Sequence, residues 1–72
     1  NVVKAPKSGI FIPTEIPGNY VSKNQVIGEV VHSLEGNVIH QFLAPCNGMI
    51  TCFYSNSLIY EHAVAFRIAK IG

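Results

Sequence analysis

The sequence predicts an all-β domain made of two copies of one unit, and three features carry that prediction. Short segments rich in Val, Ile, Phe and Tyr are punctuated by Gly, Pro, Asn and Ser, as strands and turns require. No segment sustains the apolar spacing of an amphipathic helix. The turn Ala5-Pro6-Lys7-Ser8-Gly9 is written again as Ala44-Pro45-Cys46-Asn47-Gly48.

Taken in order, the strands are expected at Val2 to Ala5, Ile10 to Pro13, Val26 to His32, Asn37 to Leu43, Met49 to Tyr54 and Val64 to Ala69. The first is closed by Pro6, which lacks the N–H that a ladder needs. The second runs until Pro13, and a turn centred on Gly18 follows. The third and fourth flank the segment His32-Ser33-Leu34-Glu35-Gly36-Asn37, which reads as a linking hairpin. The fifth follows the second Ala-Pro turn. In the last, Val64, Phe66 and Ile68 are expected inside and Ala65, Arg67 and Ala69 outside, the period-two pattern of a half-buried strand.

Aligning the halves makes the duplication explicit. Ala5 meets Ala44, Pro6 meets Pro45, Gly9 meets Gly48 and Ile10 meets Met49 at an offset of 39, whereas Val21 meets Ile59, Val26 meets Val64 and Val30 meets Ile68 at 38. Each half is too small to bury a hydrophobic face alone, so the two are expected to pack around a pseudo-twofold axis. In each turn the Pro fixes φ, and the Gly three residues later is expected to supply a positive φ for the reversal.

Composition bounds the function. A chain of 72 residues folds as one domain, 1–72, and hides only about 60% of its unfolded surface. With 49% hydrophobic and 12% charged residues it is no solvated tail. Lys4, Lys7, Lys23, Arg67 and Lys70 are scattered and the net charge is +1, so no basic stripe exists for nucleic acid. No apolar run approaches the roughly 20 residues of a membrane span, and the first residues lack a signal peptide's hydrophobic segment. Neither nucleic acid nor membrane is an expected partner. Cys46 and Cys52 are too few for a secreted disulfide scaffold, so free thiols and a cytoplasmic location are expected. The absence of Met at Asn1 suggests a segment of a longer protein.

The doubled Ala-Pro-x-x-Gly turn with its following strands resembles the biotinyl and lipoyl carrier fold, a flattened barrel-sandwich of two quasi-symmetric halves. Carriers present a modified lysine at the linking hairpin. Here residues 32–37 contain none, and no lysine stands between Lys23 and Lys70. A more specific resemblance, in "APKSGIFIP", "PGNYVSKNQVIGEV", "FLAPCNGMI" and "LIYEHAVAFRIA", is to the C-terminal lipoyl-like domain of the succinylglutamate desuccinylase and aspartoacylase family of zinc-dependent deacylases. Family members often have Gly where this chain has Asn24 and His62, a departure because Asn accepts left-handed geometry and His does so less readily.

The resemblance implies a domain with no catalytic, cofactor or metal residues of its own, packed on an N-terminal catalytic domain that holds the zinc. His32 and Glu35 spell the His-x-x-Glu of that zinc site, but two residues on a hairpin tip do not make a tetrahedron, and they are read as surface groups. His32 and His40 are equidistant from Gly36 and are expected to face one another across the hairpin. Cys46, Cys52, Glu15, Glu29, Glu35 and Glu61 show no pairing of nucleophile with orienting acid, and the chain has no Asp. By resemblance, Tyr54 and Tyr60 lie where the C-terminal domain approaches the catalytic domain and the substrate entrance; the alternative is that Tyr60 props the barrel end. Pro6, Gly9, Gly18, Pro45 and Gly48 are structural turns.

The function expected is therefore that of a non-catalytic domain of a deacylase of N-acyl amino acids, shaping substrate access and supporting a homo-oligomer through an exposed edge. Two rivals stand beside it: a lipoyl-like connector of an envelope adaptor or efflux protein, and a biotin or lipoate carrier.

Overall fold

The computed structural model describes residues 1–71. Eight strands follow one another: β1 (Val2–Lys4), β2 (Gly9–Pro13), β3 (Tyr20–Val21), β4 (Val26–Val31), β5 (Val38–Leu43), β6 (Gly48–Phe53), β7 (Leu58–Ile59) and β8 (Val64–Lys70). The six expected strands are present. β3 and β7 are additional, and at two residues each they are too short to show a period.

The strands form two antiparallel sheets that do not close into a barrel, ordered β1-β8-β6-β3 and β5-β4-β2-β7. Replacing each strand of the first by its counterpart from the other half, β1 by β5, β8 by β4, β6 by β2 and β3 by β7, reproduces the second. The repeat in the sequence is thus a pseudo-twofold in the fold. Hydrogen bonds obey it too: Ala5 N donates to Ala63 O and Ala44 N to Gln25 O, both at 2.9 Å, while His62 N reaches Ala5 O and Asn24 N reaches Ala44 O.

The core lies between the sheets. Phe11, Phe42 and Phe66 form an edge-to-face triangle with centroids 5.4–5.7 Å apart, and Ile27, Val30, Ile50, Ile59 and Ile68 pack around it. Gly28 and Phe66 are counterparts in the two halves, and they touch: a Cβ on Gly28 would stand 2.9 Å from Phe66 Cζ. Close to the axis there is room for one ring, and the glycine yields that room.

Two expectations need correction. Gly9 and Gly48 do not have positive φ; among the described glycines only Gly18 (97°) and Gly36 (76°) do. The repeat needs glycine for lack of space: a Cβ at Gly9 would meet Val30 Cγ1 and Val31 O at 2.7 Å, and one at Gly48 would meet Ala69 O at 2.3 Å. Second, Ala65 is fully buried rather than outward. The ladder between β1 and β8 pairs Lys4 with Val64 and Val3 with Phe66, so Ala65 is a bulge residue turned inward. Ile27, its counterpart, is skipped in the same way between β4 and β5 and is equally buried.

The one-residue slip between the two alignments also has a structural cause. Pairing of β6 with β8 passes from Ile50 opposite Ile68 to Cys52 opposite Arg67, leaving Thr51 as an extra residue. The connection after β6 then spans residues 54–57, two fewer than residues 14–19 after β2. One insertion and two deletions move the offset from 39 to 38.

Candidate functional site

The extra residue Thr51 breaks the internal symmetry, and a shallow hollow lies beside it. Its volume is ≈ 220 Å³ and its lining includes Cys52, Phe53, Tyr54, Ser55, Val64 and Arg67. Thr51 Oγ1 donates to Arg67 O at 3.1 Å, which steadies the bulge. Bulges of this kind re-aim side chains near binding surfaces. The hollow offers aromatic walls, a thiol, a hydroxyl and a guanidinium.

Tyr54 belongs to this hollow. Its ring packs edge-on to Phe11 with centroids 6.1 Å apart, and its N–H donates to Ala65 O at 2.8 Å. Tyr60 lies apart from the lining, 62% exposed, in a turn closed by Ala63 N donating to Tyr60 O. The ring of Tyr60 is therefore at the surface and is not a buried prop. Cys52 was read from the sequence as a free thiol and Arg67 as an outward residue, but neither they nor Phe53 were read as parts of a site; the change of repeat offset from 39 to 38 is the signal that could have drawn attention to this region.

The linking hairpin carries the other candidate groups. His32 N donates to Asn37 O and Gly36 N to His32 O, closing the turn. The imidazole Nδ1 of His32 accepts N–H bonds from Leu34 at 3.2 Å and Glu35 at 3.1 Å. That nitrogen is committed to capping the tip. His40 does not face His32: a bulge places it opposite Val30, with its ring 4.8 Å from that of Phe42. The expected histidine pair across the ladder is absent because the hairpin is centred between Leu34 and Glu35 rather than on Gly36, which sets Val31 opposite Val38 and His32 beside Asn37. Among the described residues no group of three or more His, Cys, Asp or Glu could hold a metal ion. Cys46 is half-buried, Cys52 is exposed, and both are free thiols.

Fold and surface together define an all-β sandwich of two quasi-symmetric halves, with a hydrogen-bonded hairpin at the link and a hollow at the place where the halves differ. Among solved structures it is similar to the product-bound structure of the ectoine utilization protein EutE (DoeB) from Ruegeria pomeroyi, with a TM-score of 0.87 and 18% identity over 97% of this chain. The chain spans 22% of the length of that protein, and at this identity the likeness is one of fold. No family model matches the chain, and no curated protein matches it significantly.

Proposed function

We propose that this chain is the non-catalytic C-terminal domain of a cytoplasmic zinc-dependent deacylase acting on N-acyl amino acids. Its task is to pack on the catalytic domain and to shape substrate access. The observation that carries the reading is a β sandwich of two quasi-symmetric halves whose linking hairpin, residues 32–37, has no lysine, in a chain whose motifs resemble the desuccinylase and aspartoacylase family. The likeness to a 22% portion of EutE, a protein of ectoine utilization, adds support for such a fold within a longer protein that handles a small molecule.

Among the described residues no group of three or more His, Cys, Asp or Glu fits a zinc site, and on this reading the ligands are supplied by the catalytic domain. The contribution of this chain is positional. Tyr60, exposed at its turn, and Tyr54, at the hollow, are the groups that would meet the catalytic domain or the incoming substrate. The test is an assay of the complete gene product with N-acyl amino acids, before and after zinc chelation. Chelation abolishes hydrolysis, and Tyr60→Ala raises KM with little change in kcat. A complete gene product that hydrolyses no acyl amide under any metal condition would falsify the reading.

A further inference from the structure

The outer surfaces of the two sheets differ in chemistry, although the fold makes them equivalent. On the sheet β5-β4-β2-β7, register sets Leu58, Ile10, Val31 and Val38 in one row across all four strands. Val26 and Leu43 form a second aliphatic row at the opposite side. Between them run Ile12, Glu29 and Gln41, with Gln41 Nε2 donating to Glu29 Oε2 at 3.3 Å. Leu58, Val38, Ile12, Val26 and Leu43 are 37–47% exposed. A half-buried carboxylate thus stands in the middle of an aliphatic face. On the other sheet the counterpart of Glu29 is Arg67, flanked by Val2 and Cys52 and lying beside a row of Tyr20, Met49 and Ala69, so the central charge of that face is positive where Glu29 is negative.

An aliphatic sheet face of this breadth marks a contact surface. The central carboxylate selects the occupant. A second copy laid face to face about a twofold would bring Glu29 against Glu29, which like-charge repulsion opposes. An anionic lipid surface is opposed for the same reason. We infer that the β5-β4-β2-β7 face docks against the companion domain of the same polypeptide, through an aliphatic patch that carries one lysine or arginine opposite Glu29. The inference rests on the reading above, which makes that companion the catalytic domain. Gln41 prepares the carboxylate by holding one of its oxygens, leaving the other for the cation. The outer face of the other sheet, which carries Tyr20 and Met49, stays toward solvent.

Carbene footprinting of the complete gene product tests this with internal controls. Ile12, Leu43 and Leu58 lose labelling relative to Tyr20 and Met49, which pair with each other on the opposite sheet. Glu29→Arg restores labelling of the three aliphatics, and the isosteric Glu29→Gln does so to a smaller extent while guarding against misfolding. Protection of Tyr20 and Met49 instead, equal labelling of both faces, protection that appears only as protein concentration rises, or indifference to both Glu29 variants would each overturn the proposal. Hydrolysis is scored separately. Activity without protection of this face overturns the docking surface alone, whereas protection without zinc-dependent hydrolysis sustains the surface and removes only the deacylase identity of the companion.

Discussion

Gly48 has its nearest obstacle, Ala69 O, only 2.3 Å from where a Cβ would stand, while at Gly9 the nearest atoms are at 2.7 Å and include the side chain of Val30. Alanine at either position forces the two neighbouring strands apart. Gly48→Ala and Gly9→Ala are each expected to cost about 1–3 kcal/mol by overpacking, with Gly48→Ala the worse because its backbone carbonyl stands closer than either obstacle at Gly9. Urea unfolding midpoints of the two variants check both the loss and the order. His62 and Asn24 are the converse, non-glycine residues at φ 73° and 70°. A left-handed conformation costs an ordinary residue roughly 1–2 kcal/mol, and glycine returns about 0.5–1 kcal/mol of that through its freer unfolded chain. His62→Gly should therefore raise stability by about 0.5–1 kcal/mol, seen as an upward shift in melting temperature. The gain from Asn24→Gly is smaller, because Asn tolerates this region. The contact of His62 with Glu61, on exposed side chains, offers little in return.

At the scale of elements, β8 joins the core to both its neighbours, and Phe66 is its anchor. Phe66→Ala is expected to cost about 3–5 kcal/mol, against a total stability of about 4–10 kcal/mol for a domain of this size; circular dichroism should show a domain at the edge of unfolding at room temperature. Deleting Thr51 tests the bulge. The expected outcome is a folded chain whose amide shifts change along β6 and the start of β8, and a collapse of spectral dispersion would mean that the fold itself needs the extra residue. These elements also show what a reader of the sequence can and cannot see. Strands of three or more residues were legible because apolar side chains recur along them and Gly and Pro close them. The inward turn of Ala65 was not, since a bulge overrides the period of two without leaving a mark in residue type. The reason for Gly9 and Gly48 was misread for a related cause: identity reveals that a glycine is needed, while the clash that requires it lies in strands distant in sequence. The separation of His32 from His40 was missed because the hairpin turns between Leu34 and Glu35 rather than at its glycine, Gly36.

For the whole molecule, the arrangement of strands matters more than any residue. Each sheet takes two strands from each half, with β1 beside β8 and β7 beside β2, so neither half contains a sheet that it can complete. Residues 1–36 and 37–72, made separately, should each be unstructured, as chains below about 40 residues usually are, and should acquire strand signal only when mixed. Strand signal from either piece alone would contradict the interleaving. A consequence for biosynthesis follows. Val2 finds its neighbour in Arg67, so a nascent chain holds β1 unpaired until Arg67 has emerged from the ribosome. Assembly of the two sheets waits for that point and proceeds on the millisecond-to-second scale of topologies dominated by distant pairings.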